Sequence, residues 1–64
     1  MAGEAEIVGA AIALIEKLGF PAAKSRAREM TDKWATSQAP DAAEGLRAWE
    51  RIQAYVDALE ASGG

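Results

Sequence analysis

The stretch KLGFP at residues 17–21 decides how this chain folds, because it combines the end of one helix with the start of another. Gly19 follows Lys17 and Leu18 at a position where glycine takes the left-handed conformation that ends many helices. Pro21 suits the first turn of a helix, where a missing N–H leaves no hydrogen bond unmade. The stretch therefore predicts a helix that ends at residue 18 and another that begins at residue 21.

A second break lies at residues 37–41, with the sequence SQAPD. Pro40 disfavours helical geometry at Ala39, and Asp41 precedes Glu44 by three residues, the spacing of a capping box. Alanine, the best helix former, is abundant, and no segment shows the alternating pattern of a strand. We predict an all-α fold, a small antiparallel three-helix bundle in a single domain over 1–64, with helices of about 4–18, 21–37 and 41–61.

Each predicted helix has an apolar face when its residues are placed at 100° intervals. The predicted core faces consist of Ile7, Ala11, Leu14 and Leu18 on the first helix, Ala23, Ala27, Met30 and Trp34 on the second, and Gly45, Trp49, Ile52, Val56 and Leu59 on the third. Val8, Ile12 and Ile15 widen the first face to about 160°. On the other side of that helix, Gly9 and Ala13 allow two interpretations, simple alanine-rich filling or a flat dimer surface.

The composition excludes several kinds of chemistry. The chain has no Cys, hence no disulfide framework or thiolate nucleophile, and no His, the usual neutral-pH acid or base. Its serines and threonines have no His base beside them, and its carboxylates lie away from the predicted core. We predict a protein that is not an enzyme and has no catalytic residue, no cofactor and no metal site.

The charge is unevenly distributed along the chain. The net charge is -3, yet residues 21–38 carry +2 and the remainder -5. The cations of this segment fall on two flanks of the predicted second helix, and the third helix is acidic, so nucleic-acid binding is the weaker hypothesis. A mildly acidic chain also disfavours an anionic membrane as partner.

We predict a protein-interaction module whose partner-binding residues are Trp34, Lys24, Arg28 and Lys33, because the predicted second helix combines the narrowest apolar stripe with opposite local charge. Core packing is the favoured interpretation of an aromatic residue on an inner face, so for Trp34 the binding role is the sharper but less favoured hypothesis. Two further functions stay open: a small acidic inhibitor or antitoxin-like regulator, and a nucleic-acid-binding regulator that uses the second helix. With so small a core, self-association as a homodimer is a further possibility.

The longest apolar stretch, residues 7–15, is too short to cross a bilayer, and no basic residue precedes it as in a secretory signal. We therefore expect a cytoplasmic protein with no membrane partner.

One set of positions resembles a pattern found in a group of short alphaproteobacterial proteins of unknown function. The matching positions are Gly19, Ala23, Asp41, Gly45, Trp49, Ile52 and Leu59. The resemblance covers about 45 residues and implies a small helical fold. It implies no activity and no functional residue.

Overall fold

The computed structural model describes residues 3–63, which form two helices and no strand. Helix α1 comprises Glu4–Ala35 and helix α2 comprises Ala42–Gly63. The two helices pack against each other. The prediction of an all-α fold is confirmed. Residues 1, 2 and 64 of the predicted domain lie outside the described residues.

Helix α1 bends sharply at Gly19. This residue has φ +81° and ψ 165°, a non-helical conformation inside the helix. A straight helix of 32 residues would be about 48 Å long, whereas the longest extent of the whole molecule is 37 Å. The bend divides α1 into a first arm, residues 4–18, and a second arm, residues 20–35. Gly19 is thus the break that the sequence predicts.

The predicted bundle of three separate helices is not supported, because the structure has two helices packed together. The chain changes direction within one residue: Gly19 alone leaves helical geometry, and Phe20 already belongs to the helix. A loop between residues 18 and 21 is therefore unnecessary. Pro21, close behind the bend, lies where its missing N–H costs little.

The end of α1 lies two residues earlier than predicted. The Thr36 N–H donates to the Asp32 carbonyl oxygen at 3.2 Å, which closes the last turn. The Ser37 side-chain oxygen then accepts a hydrogen bond from the Ala39 N–H at 3.2 Å, a local turn that competes with helix. The Ala42 N–H donates to the Ala39 oxygen at 3.0 Å, and α2 follows.

Both arms of α1 contribute to one small core against α2. The core cluster consists of Ile7, Ala11, Ala23, Ile52 and Val56. All five belong to the predicted core faces. Ala11 and Ala23 are fully buried, so the backbones of the two arms approach α2 closely, and Val56 is the largest fully buried side chain. Alanine therefore acts in this fold by allowing close packing.

Three residues of the predicted core faces remain substantially exposed, and one of them is Ile12 of the first arm, at 42%. Leu18 is 46% exposed and Leu59 is 36% exposed. Leu18 directly precedes the bend, and Leu59 lies in the last turns of α2, so each has neighbours on one side only. Their exposure follows from their place at the ends of the packed segments.

Polar contacts define how the two arms lie on α2. Glu4, at the start of the first arm, accepts hydrogen bonds from Arg51 and Tyr55 in the middle of α2. Lys24 pairs with Glu60 at 2.8 Å, near the far end of α2. Because Trp34 contacts Gly45 at the start of α2, the second arm runs antiparallel to α2.

Within residues 3–63, neither helix combines the length and the apolar character that crossing a membrane requires. The predicted cytoplasmic location stays a prediction.

Candidate interaction surfaces

Trp34 lies flat against the backbone of α2. A Cβ atom added to Gly45 would lie 2.4 to 2.7 Å from three carbons of the Trp34 ring, closer than real contacts allow. The indole is half-buried, and its Nε1 atom is buried with no hydrogen-bond partner among the described residues. A buried N–H without a partner costs free energy, which the extensive ring contact offsets. Trp34 therefore packs the junction between α1 and α2.

An open cavity of about 530 Å³ lies beside this indole. Its apolar surfaces come from Ile7 on the first arm, Trp34 on the second arm and Ala48 on α2. Charged residues of both signs also line it, namely Asp41, Glu44, Arg47 and Arg51. The sequence-based prediction did not include this group of opposite charges on one side of α2. The spacing of residues 44, 47 and 51, three and four residues apart, indicates that their side chains share one side of the helix.

The structure does not bring the four predicted binding residues together. Lys24 lies about 15 Å along the helix from Trp34 and pairs with Glu60 at the other end of the molecule. Arg28 and Lys33 are exposed, and helical geometry directs them to different sides of the second arm. The four residues therefore do not form one cluster, and their binding role stays a prediction; the cations that line the cavity with Trp34 are Arg47 and Arg51.

The ion pair of Lys24 affects its titration. The hydrogen bond to Glu60, followed by the charge of Glu60, raises the pKa of Lys24 above its ordinary value of 10.5. Both side chains remain well exposed to water, which screens the interaction. Lys24 therefore serves as a peripheral contact between the second arm and the end of α2.

The remaining cations of the second arm form no single basic face. Arg26 lies 3.7 Å from Glu29, one turn further along the same arm. Arg28 projects from the opposite flank of the arm. A surface that follows a nucleic-acid backbone needs its cations along one stripe, so this arrangement gives no support to that hypothesis.

The side of the first arm that faces away from α2 is open to solvent and combines small and apolar residues with the exposed charges of Glu6, Glu16 and Lys17. We call this surface the outer face and define it by Ala5, Gly9, Ile12 and Ala13, all of which are exposed. Ile12 is 42% exposed, one of the large apolar side chains that the core does not cover. Among residues 3–63, no atom lies within 4 Å of the Cβ position of Gly9. Half-buried Val8 and Ile15 extend the apolar area along one edge.

No group of three or more metal-ligating side chains is found within residues 3–63. No family model matches the chain, and no curated protein or solved structure matches it either. The resemblance to short alphaproteobacterial proteins therefore stays a prediction, as do the expected lack of catalytic activity and of cofactors.

Proposed function

We propose that this protein is a helical protein-interaction module without catalytic activity of its own, and that it binds through the outer face of the first arm. The observation that carries the proposal is the exposure of Ile12 in the middle of an apolar helix face that the fold leaves uncovered. Between residues 5 and 15 the only charged residue is Glu6. Glu16 and Lys17 follow directly, so the charges of this side lie near the two ends of the exposed apolar stretch.

Burial of this face would favour association. Apolar surface removed from water contributes about 25 cal/mol per Å². The face needs little rearrangement to bind, since its residues belong to a formed helix whose opposite side is anchored by buried Ile7 and Ala11. A preformed surface loses less conformational entropy than a flexible one when it binds.

The outer face replaces the site predicted around Trp34. The contact of Trp34 with Gly45 supports a stabilising role for the indole, and Lys24 is engaged with Glu60. Neither residue belongs to the outer face. The proposal therefore keeps the predicted class of function and moves its location from the second arm to the first.

The experiment that tests this proposal is site-specific photo-crosslinking in the cell that makes the protein. A photoreactive phenylalanine analogue replaces Ile12 in one variant and Ala58 in a control variant. Ala58 is an exposed helical residue on α2, outside the outer face. We expect discrete crosslinked products from position 12 and none from position 58. Equal crosslinking from both positions, or none from position 12, would contradict the proposal.

A further inference from the structure

We infer that the occupant of the outer face is a second copy of this chain, bound so that the two first arms lie antiparallel across a two-fold axis. The inference rests on the proposed function and adds the identity of the partner and the orientation of the contact. Three properties of the monomer support it: its excess of exposed surface, the spacing of the outer-face residues, and the charges beside them.

The exposed area is larger than a compact monomer requires. The chain exposes 4409 Å², whereas a compact folded protein of its 6.7 kDa mass exposes about 3900 Å². The excess is about 500 Å² for each chain, so two chains that cover it would bury about 1000 Å² in total. That area lies at the lower limit for a specific interface, so we expect a dimer that dissociates on dilution.

The outer face has the spacing of an antiparallel helix pair. Ala5, Gly9, Ile12 and Glu16 follow one another at intervals of four, three and four residues, the spacing of a coiled-coil seam. In an antiparallel pair centred between residues 10 and 11, Ile12 of each copy lies over Gly9 of the other. The open space at Gly9 gives the large side chain a place to enter. One surface thus supplies both the projection and the recess, as a two-fold interface requires.

The residues beside this seam are also complementary under the same axis. On one flank Val8 and Ile15 of the second copy lie on the same side of the seam, about 3 Å apart along the helix axis, and these half-buried side chains complete the apolar contact. On the other flank Glu6 lies within reach of Lys17 of the second copy. Both are exposed, and neither forms an ion pair with another described residue of its own chain. A parallel pair would instead place like charges together.

Glu16 lies opposite Ala5 of the second copy, in the first turn of its α1, where Glu4 and Glu6 already place two carboxylates. The positive end of that helix is matched within its own chain, so Glu16 adds no attraction there. Glu16 also ends the apolar seam, so the contact is confined to the first arm.

Sedimentation equilibrium of the full chain tests the inference directly. Over about 10 µM to 1 mM we expect the mass to rise from that of one 6.7 kDa chain toward that of two. Ile12→Glu places a charge in the seam and should remain monomeric across this range. Its circular dichroism should be unchanged, because Ile12 lies outside the core. Ala58→Glu adds the same charge on α2 and should associate like the unmodified chain.

Charge reversal tests the orientation. Glu6→Lys and Lys17→Glu should each weaken association about tenfold, because each places like charges across the two-fold axis. The double reversal restores opposite charges and should recover the original affinity. Recovery supports the antiparallel pair, whereas additive losses overturn it.

The outcomes separate this inference from the proposed function. A chain that stays monomeric at 1 mM overturns the second copy as occupant. If position 12 still crosslinks to other proteins in cells, the proposed function survives that failure. Absence of both self-association and crosslinking overturns both.

Discussion

Both sides of the first arm of α1 carry apolar and small residues, but only the side that faces α2 is buried. On the inner side Ile7 is 5% exposed and Ala11 is fully buried against α2. On the outer side Ile12 is 42% exposed, and Gly9 has open space around it. The comparison shows that this arm carries more apolar surface than the monomer uses. The inner side explains the fold, and the outer side is the surface for which we propose a binding role.

The largest expected effect comes from truncating the two isoleucines of the first arm separately. Ile7→Ala should lower the free energy of unfolding by about 2 to 4 kcal/mol, because it leaves a cavity in a small core. Ile12→Ala is the matched control, with the same substitution on the outer side, and should cost less than about 1 kcal/mol. Urea unfolding at low protein concentration measures both. Similar losses would show that the two sides are not distinct.

A substitution at the bend that separates the two arms should give the next largest loss of stability. Gly19→Ala should lower the free energy of unfolding by about 1 to 3 kcal/mol, because φ +81° with ψ 165° is a conformation that essentially only glycine adopts. No atom in the described part of the chain lies within 4 Å of the added Cβ, so the cost is conformational and not steric.

Gly9→Ala is the control for the bend, since Gly9 is helical and equally open. It should raise the free energy of unfolding of the monomer by about 0.5 to 1 kcal/mol, the usual gain for this change inside a helix. A stable Gly19→Ala variant with unchanged helicity would mean that the bend does not depend on this glycine.

A change at the contact between the second arm and α2 should lower the free energy of unfolding by a similar or smaller amount. The cause here is steric overlap. Gly45→Ala should cost about 1 to 3 kcal/mol, because the methyl group would overlap the Trp34 ring. In a Trp34→Leu background the same change should cost less, since the ring is absent. A double-mutant cycle with thermal unfolding measures the coupling. Additive costs would contradict the packing role of Trp34 and reopen its assignment to a binding site.

The smallest expected change in stability concerns the exposed ion pair between Lys24 and Glu60. Folding raises the pKa of Lys24, so the native protein holds this proton more tightly than the unfolded chain. The stabilising contribution is therefore full below the ordinary pKa of 10.5 and is lost as the pH rises through the higher native value. Lys24→Met should abolish this alkaline loss in thermal unfolding between neutral and strongly alkaline pH. Lys33→Met, at an exposed site on the same arm, should retain it.

The sequence predicts the local features well and the contacts between distant residues poorly. Helix-ending glycine chemistry located the break at Gly19, and helical periodicity identified Ile7, Ile52 and Val56 as core residues. The same reasoning expects residues 19–20 to lie between two helices, because periodicity and capping rules do not show that one residue with positive φ suffices to redirect the chain. The contact of Trp34 with Gly45 depends on how closely the second arm approaches α2, which periodicity does not determine.

The binding role predicted for Trp34, Lys24, Arg28 and Lys33 stays a prediction. Charge and a narrow apolar stripe directed the prediction to Trp34 and Lys24, but the fold uses both for its own packing. In the sequence the small residues Gly9 and Ala13 mark this side, but filling is the favoured interpretation over a dimer surface, and Ile12 is assigned to the core face. Only the position of α2 relative to the first arm shows that this side is uncovered.

The most direct test of the central claim, that the uncovered outer face of one chain contacts the outer face of another, is disulfide formation between two single-cysteine variants. The chain has no cysteine, so Gly9→Cys and Ile12→Cys each introduce a unique thiol. When equal amounts are mixed in a glutathione redox buffer, the proposed pair predicts mixed 9-to-12 disulfides well above their statistical share. Ala58→Cys should crosslink with neither variant above the background rate. A statistical mixture, or crosslinking no faster than at position 58, would contradict the claim.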